Sequence, residues 1–288
     1  MIKFKKTFLC FSVVALIVLT AVQQCFAATY LTSDGFYYLP DDKYNATVYG
    51  CNDNKTELVF PDRLDNYNVR SIADYSFINN GNITSIDFTN AKYLRSVGYL
   101  SFSGCSNVKS IVLPYWINSF DFGSFQNCTA LTQIGLYARV NKITEQCFYG
   151  CSSLTCIDLP DSVKSIERFA FGSCTSLSEV YIPTSVTSIA SNAFRSSPNV
   201  TIKGSYGSYA EEYAKANNIP FNGISNYKIG DVNMDGKIDI SDATLAQKYV
   251  VGIVELSTEQ KHLADYNSDS NITVVDATQI QKFIVHLN

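Results

Sequence analysis

Apolar residues recur through the middle of the chain with a period near 23 residues. Each unit opens with a V-x-S-I frame, continues with a Phe and a Cys, and closes with L-x-x-I-x-L-P. The first unit spans 25 residues, and each of the next four spans 23. The units begin at Val69, Leu94, Ile117, Val140, Val163 and Val186. Two strand-like runs per unit cannot bury their apolar faces alone, so the period predicts a solenoid whose stacked units share one core.

The repeated frame is similar to that of a known repeat family. Residues 140–160 contain Val140, Phe148 and Cys151, and residues 163–183 repeat the pattern from Val163. The frame resembles the BspA-type leucine-rich repeat over residues 35–224. The resemblance implies a leucine-rich-repeat solenoid of short β-strands, an α+β and mainly β fold, over residues 28–224. It also implies an N-terminal cap at 30–61 and a C-terminal end at 204–221, with a helix over 209–217 followed by a strand.

Cysteines also follow the repeat. The same slot of successive units holds Cys105, Cys128, Cys151 and Cys174. A disulfide or metal role is one interpretation, but parallel rungs lie about 4.8 Å apart, and a disulfide places its Cβ atoms about 3.5 to 4.5 Å apart. We therefore predict a ladder of small buried thiols. No role follows from the sequence for Cys51, Cys147 and Cys156.

The closing strand of each unit turns alternate residues outward onto an extended face, where solenoids usually bind partners. The outward column is chemically mixed and reads Asp87, Val112, Gly135, Asp158 and Tyr181. Aromatic residues follow the strands, and exposed aromatics either stack on sugar rings or anchor a protein partner. The alternative is that these rings fold over the strand ends and cap the core. The candidate surface for an unknown protein or glycan is Tyr115, Trp116, Tyr137, Asp158 and Tyr181.

The repeats lack the residues of common nucleophilic hydrolases. The two histidines, His262 and His286, both follow the repeats. The repeats therefore cannot contain a catalytic Ser-His-Asp triad or Cys-His pair. Asp87 and Asp158 are three rungs apart, about 14 Å at the spacing of parallel strands. Glycoside cleavage needs two carboxylates about 5 to 9.5 Å apart. We therefore expect no enzyme activity and no catalytic residues; the alternative is a hydrolase or protease-inhibitor module.

An abrupt change of pattern at Asp231 introduces a calcium-loop motif. Oxygen-bearing side chains fill loop positions 1, 3, 5, 9 and 12, Gly236 supplies the turn at position 6, and position 7 offers its backbone carbonyl. The first ligand set is Asp231, Asn233, Asp235, Lys237 (through its carbonyl), Asp239 and Asp242. The motif recurs after 34 residues as Asp265, Asn267, Asp269, Asn271, Thr273 and Asp276. Tandem loops predict two bound Ca²⁺ ions.

The two loops differ in charge and in turn chemistry. The first has four acidic ligands and the second has three, because Thr273 occupies position 9 of the second loop. Ser270 also replaces the turn glycine. Calcium affinity rises with the number of charged ligands, so we expect the second site to be the weaker. Carboxylates gathered without a cation repel one another, so we also expect calcium removal to unfold this region partly.

A helix is predicted after each loop, over residues 243–251 and 277–286, whereas the turn-forming residues 222–226 argue against a helix before the first loop. Position 12 is Asp in both loops instead of the EF-hand Glu. Over the 22 residues from each loop start, ten positions are identical, including D-A-T and Q-K. This duplicated loop-helix unit resembles a type I dockerin over residues 228–288.

The dockerin resemblance implies a small all-α domain of two calcium loop-helix repeats at 225–288 that binds a cohesin module of a scaffold protein. Such scaffolds belong to cellulosomes, which act in polysaccharide metabolism. The family's contact positions imply a first face of Ile240, Ser241, Gln247, Lys248 and Gly252. They imply a second face of Val274, Val275, Gln281, Lys282 and His286. The apolar residues leave the cohesin type open, and helix-packing core is the alternative role for them.

Composition and the N-terminus bear on location. With 17% charged residues and a net charge of −4, the chain has no basic patch for nucleic acid or anionic lipid. Residues 1–27 have the pattern of a signal peptide, with three lysines before an apolar run and cleavage after Ala27. Acylation of Cys25 is the alternative, although Gln24 stands where such a site needs a small residue. We therefore expect a secreted, extracellular protein, attached at the cell surface through a scaffold.

Overall fold

The computed structural model describes residues 30–32, 35–52 and 55–286. The predicted signal peptide, residues 1–27, lies outside the described residues. Within the described part, a region of short strands with one helix extends to residue 224. A region of three helices follows, and the first of them begins at residue 240. No helix in these ranges combines the length and the apolar character needed to cross a bilayer.

The strands are short and follow one another throughout the solenoid. In chain order they are β1 (Tyr30–Leu31), β2 (Phe36–Pro40), β3 (Asn45–Cys51), β4 (Glu57–Val59), β5 (Arg63–Leu64), β6 (Tyr67–Ile72), β7 (Ser85–Asp87), β8 (Ser96–Val97), β9 (Ser110–Leu113), β10 (Ser119–Phe120), β11 (Gln133–Leu136), β12 (Lys142–Ile143), β13 (Cys156–Asp158), β14 (Ser165–Ile166), β15 (Glu179–Tyr181), β16 (Ser188–Ile189), β17 (Thr201–Ser205) and β18 (Phe221–Ile224). The helices are α1 (Tyr209–Ala216), α2 (Ile240–Val250), α3 (Thr258–Ala264) and α4 (Val274–His286).

Parallel pairing joins equivalent strands of neighbouring units on two sides of the solenoid. On one side, strands from the V-x-S-I frames, together with β3 of the N-terminal cap, form the orders β3-β6-β8-β10 and β12-β14-β16. On the other side, strands from the L-x-x-I-x-L frames, together with the end strands β4 and β18, form β4-β7-β9-β11 and β13-β15-β17-β18. Ile157 pairs with Val180, which pairs with Ile202. Equivalent residues of successive units therefore stack in columns, as the period predicts.

The phenylalanine of each unit stacks on its neighbours inside the solenoid. Successive ring centroids lie 5.0 to 5.7 Å apart, and every ring is buried. The ladder consists of Phe77, Phe102, Phe125, Phe148, Phe171 and Phe194. Each ring covers the face of the next, so the core is continuous from unit to unit.

The cysteine ladder runs beside these rings. Its four thiols are buried, and each Sγ donates a hydrogen bond to the phenylalanine carbonyl oxygen of the preceding unit at 3.1 to 3.4 Å. Burial raises the pKa of Cys105 and Cys174 to about 12. The seven cysteines of the described residues are thiols, and none of them forms a disulfide. The prediction of a buried thiol ladder is confirmed.

Both ends of the stack are covered. At the N-terminal end β2 pairs antiparallel with β3, which pairs in parallel with β6. Phe36 and Phe60 are buried there, with ring centroids 5.1 Å apart. At the C-terminal end α1 packs on β17, and β18 adds the last parallel strand. The first three of the turn-forming residues 222–226 are extended, and none of the five is helical. The three extended residues belong to β18 because they pair with Lys203 to Ser205.

The helical region has a small core of its own. Its buried residues are three alanines of α2 and α4 together with Val232, Leu256, Ala264 and Ile280. Helix α3 was not predicted from the sequence. Ser257 and Gln260 form a capping box at its start, with each side chain accepting from the other residue's backbone N–H. The S-x-x-Q spacing was the sequence signal that identifies this helix.

Helix α3 also contacts the C-terminal cap of the solenoid. The Ser225 hydroxyl donates to Glu259 at 2.8 Å, and the Lys215 ammonium donates to the Thr258 hydroxyl at 3.3 Å. The rings of Tyr206 and His262 stack with centroids 4.9 Å apart. None of these three contacts involves a residue of α2 or α4.

Candidate functional site

The two predicted calcium loops have the same internal hydrogen-bond scaffold. In the first loop the carboxylate of Asp231 accepts from the N–H groups of Asp235 at 3.1 Å and Gly236 at 3.0 Å. In the second loop the carboxylate of Asp265 accepts from the N–H groups at positions 5 and 6, at 3.1 and 2.8 Å. Each loop is therefore curled around its first carboxylate.

The carboxylate at position 12 closes each loop. Asp242 accepts from the N–H groups of Asn233 and Asp239, both at 2.9 Å. Asp276 makes the same two bonds, to positions 3 and 9 of its own loop, at 3.2 and 2.9 Å. Because both ends of the loop meet at this residue, position 12 connects the loop to the helix that follows it.

The last loop residues also act as helix caps. The Asp239 side chain accepts from the Ser241 N–H, and Asp242 completes the capping box. In the second loop the Thr273 hydroxyl accepts from the N–H of the residue at position 11. The two helices consequently begin at position 10 of each loop, three residues before the predicted starts.

Three carboxylates of these loops are buried, namely Asp231, Asp242 and Asp276. The ion pairs of the described residues involve other acids. A buried ionised carboxylate is costly unless it is paired or coordinates a metal. Backbone N–H groups satisfy part of its bonding capacity but supply no net positive charge. Both loops therefore have the electrostatic character of cation sites.

The electrostatics differ between the loops. Burial raises the pKa of Asp242, against the hydrogen bonds from the loop N–H groups, and the negative charges of Asp231 and Asp239 add to the rise. Burial would also raise the pKa of Asp276, but hydrogen bonds from Thr273 and Asn267 outweigh it and lower that pKa. The carboxylate that closes the first loop is therefore less stabilised in its charged form than the one that closes the second.

The chemistry of the donors fits calcium. Carboxylate, amide and backbone carbonyl oxygens are the ligands that this hard cation prefers. Among the residues described, no three His, Cys, Asp or Glu side chains converge as a preformed metal cage. Each predicted donor set is only partly acidic, since it includes Asn side chains and a backbone carbonyl. The donor set is present in both loops, and the binding of two ions stays a prediction.

The apolar residues predicted to bind cohesin lie on the surface. Ile240 and Val274 are each 60% exposed, and Val275 is 50% exposed. They do not belong to the core between α2 and α4. The remaining predicted positions are exposed at Ser241, Gln247, Lys248, Gly252 and Lys282 and half-buried at Gln281. His286 is the last residue of α4, and its side chain is outside the described part.

The sequence analysis missed one further pair of equivalent residues. Val251 and Val285 both occupy position 21 of their repeat, and they are 66% and 71% exposed. Their identity in the two repeats was the available signal. At 100° per residue, positions 10, 17 and 21 fall on one side of a helix. Each repeat therefore presents an exposed apolar residue at either end of the face that includes its glutamine.

A groove of about 1150 Å³ lies on the side of the longer strands. Tyr115, Tyr137, Asp158 and Tyr181 line it, together with Arg139 and Lys203, which the sequence analysis did not single out. Trp116 does not line it. Its ring is half-buried against the solenoid core, and its indole N–H has no hydrogen-bond partner.

Comparison with family models gives two matches. The model described as BspA type leucine rich repeat region matches residues 70–201 in six copies. The model described as dockerin type I domain matches residues 229–285. Both are non-catalytic interaction modules. Comparison with curated proteins gives no match.

Several solved structures are similar to the solenoid. A leucine rich repeat protein from T. pallidum is 22% identical with a TM-score of 0.56, and the match covers 68% of this chain and 100% of that one. A leucine-rich repeat protein from Eubacterium ventriosum is 23% identical with a TM-score of 0.43, covering 56% and 50%. The pneumococcal vaccine antigen PcpA is 14% identical with a TM-score of 0.41, covering 63% and 52%. The first likeness shows the leucine-rich-repeat fold.

Proposed function

Because the chain consists of a BspA type leucine rich repeat region followed by a C-terminal dockerin type I domain, we propose that it is a secreted, non-catalytic component of a cellulosome-type assembly. The dockerin binds a cohesin module of a scaffold protein. The solenoid presents the groove that includes Tyr115, Tyr137, Asp158 and Tyr181 to a protein or carbohydrate. The scaffold thereby holds this binding surface outside the cell.

Type I dockerins generally bind calcium, and we assign one ion to each loop. The first would be held by Asp231, Asn233, Asp235, the Lys237 carbonyl, Asp239 and Asp242. The second would be held by Asp265, Asn267, Asp269, the Asn271 carbonyl, Thr273 and Asp276. When bound, calcium supplies the positive charge that the buried carboxylates lack. The loop residues orient the donors and cap the helices that carry the docking faces.

The observation that carries this proposal is the duplication of both parts of the docking unit. Each loop curls around its first carboxylate and closes on a buried Asp at position 12. Each following helix then presents an exposed apolar residue at position 10. Because the carboxylate that closes the loop also fixes the start of the helix, cation binding and the docking face are mechanically connected.

Titration of the chain from residue 28 onward against purified cohesin modules tests the proposal. We expect binding to at least one cohesin type with calcium present, and loss of that binding with EDTA. Combined Asp242→Ala and Asp276→Ala changes should abolish it, whereas Asp41→Ala, a change in an exposed carboxylate of the N-terminal cap, should leave it intact. Cohesin binding that persists unchanged in EDTA would overturn the calcium-dependent mechanism.

A further inference from the structure

Two exposed tyrosines line the solenoid groove. Tyr115 and Tyr137 are 57% and 67% exposed. Gly135 is an outward-facing residue of β11, and it pairs with Val112 of the preceding unit. A Cβ at Gly135 would lie only 3.1 Å from Cε2 of Tyr137. The missing side chain therefore leaves room for the Tyr137 ring to lie across the strand face within the groove.

Charges in the groove are balanced. Its Asp, Glu, Lys and Arg lining residues are Arg139, Lys203, Asp158 and Asp161, two positive and two negative. The two cations are also engaged. The Arg139 guanidinium lies 4.3 Å from the ring centroid of Tyr115, and the Lys203 ammonium pairs with Glu179 at 3.5 Å. A balanced lining gives no long-range attraction to a charged polymer of either sign.

The main modes of peptide recognition fit this groove poorly. An added β-strand requires an open sheet edge. In the groove β15 and β17 are paired on both sides, and β11 and β13, the end strands of two separate sheets, lie against each other with no room for a strand between them. An amphipathic helix requires a continuous apolar groove. Here the floor includes Gln133, Asp158 and Lys203 between the apolar residues.

We propose that the groove binds a neutral polysaccharide, with Tyr137 and Tyr115 as the stacking surface. This rests on the proposed role of the solenoid as a binding surface and names the class of its ligand. A pyranose ring has an apolar C–H face that packs on a tyrosine ring. Its hydroxyls donate to the carboxylate of Asp158 and to the side-chain carbonyl of Gln133 and accept from the Lys203 ammonium. These three residues line the same groove as the tyrosines. No formal charge on the ligand is needed.

Affinity electrophoresis of the chain from residue 28 onward tests this proposal. The gels contain soluble arabinoxylan, glucomannan or mixed-linkage β-glucan as neutral probes and polygalacturonate as an anionic probe. We expect retardation by at least one neutral probe and none by polygalacturonate. Tyr137→Ala should weaken the retardation about tenfold, the loss expected for one stacking contact. Gly135→Val, which displaces the Tyr137 ring without removing it, should act in the same direction.

Controls separate the groove from other causes. Tyr44→Ala removes an equally exposed tyrosine from a turn of the N-terminal cap and should change nothing. Binding should stay constant between about 50 mM and about 500 mM salt, because it involves no ion pairing with the ligand. EDTA should abolish cohesin binding and leave glycan retardation unchanged. Failure of the glycan-binding proposal can therefore be distinguished from failure of the cohesin-binding proposal.

The proposal is overturned if none of the three neutral probes retards the protein, or if Tyr44→Ala weakens binding as much as Tyr137→Ala. Retardation by polygalacturonate that disappears with salt would indicate ionic binding instead. Capture of a secreted protein that is lost in Tyr137→Ala would make the groove a protein-binding surface.

Discussion

Ser270 occupies the sixth position of the second loop, where the first loop has Gly236. Both backbones are left-handed, with φ 67° at Ser270 and φ 87° at Gly236. A residue with a side chain pays about 1 to 2 kcal/mol for this conformation. No atom lies within 4 Å of a Cβ built on Gly236, so the difference between the loops at this position concerns the backbone alone.

We therefore predict that Ser270→Gly tightens calcium binding at the second site. The relief of about 1 kcal/mol corresponds to several-fold in affinity. Isothermal titration calorimetry with calcium measures it. The reciprocal Gly236→Ser should weaken the first site by a similar factor, and equal affinities in all three proteins would contradict the proposed cost of the turn.

The cysteines also differ residue by residue. Cys156 is exposed, Cys51 is half-buried, and the other five of the described residues are buried. Burial raises the pKa of the buried ladder thiols, and a thiol reacts with disulfide reagents only as the thiolate. In the native chain from residue 28, we predict a fast reaction of Cys156 with a chromogenic disulfide at about pH 8 and none from the five buried thiols.

Cys156→Ser should remove that fast phase, while denaturant should release all the remaining thiols. The opposite pattern, with several thiols reacting rapidly in the folded protein, would mean that the cysteine ladder is open to solvent.

At the scale of elements, α2 and α4 are similar in sequence and in the exposure of position 10, although Gln247 is exposed and Gln281 is half-buried. Position 10 is 60% exposed in both, and both have Gln-Lys at positions 17 and 18. They differ at position 11, where Ser241 has a hydroxyl that bonds to Asp239 and Val275 has none. The two helices therefore offer similar docking faces with different polarity at one point.

We predict that Gln247→Ala with Lys248→Ala weakens cohesin binding only modestly, because the second helix still offers a docking face. Gln281→Ala with Lys282→Ala should behave alike, and the fourfold variant should not bind. Titration against the same cohesin measures all three. Complete loss from one double variant would show that a single face functions, and full binding by the fourfold variant would place the contact elsewhere.

At the scale of the molecule, the contacts of α3 with the solenoid cap determine how the two modules are arranged. The Tyr206–His262 stack and the Ser225–Glu259 hydrogen bond hold α3, which lies between the two loop-helix repeats of the dockerin, against the end of the solenoid and the residue that follows it. Neither involves the predicted docking faces. The groove and the cohesin would then keep one relative orientation instead of moving on a flexible tether.

We predict that Tyr206→Ala combined with Glu259→Ala increases the radius of gyration in solution scattering without changing cohesin affinity. The contacts described are one ring stack and two hydrogen bonds, and none of them belongs to either core, so their removal frees the modules while each core stays intact. Tyr44→Ala, at the opposite end of the solenoid, is the matched control. An unchanged scattering profile in the double variant would show that other contacts fix the arrangement.

Sequence alone determined the features that depend on local spacing. The 23-residue period places equivalent residues on successive rungs, so the paired strands and the buried Phe and Cys columns followed from it. The ligand spacing of the loops likewise comes from one short stretch of chain, and the hydrogen bonds within each loop keep those residues together.

Tertiary structure decided the features that depend on packing between distant segments. Trp116 and Tyr115 are neighbours in sequence, yet only Tyr115 lines the groove, because Trp116 packs on the solenoid core. Tyr137 lies over the strand because Gly135 leaves room for it. The contact of α3 with the cap joins residues 206 and 262, which no local pattern relates. Such positions depend on which side chains fill the same space after folding, and hydrophobic periodicity does not specify that.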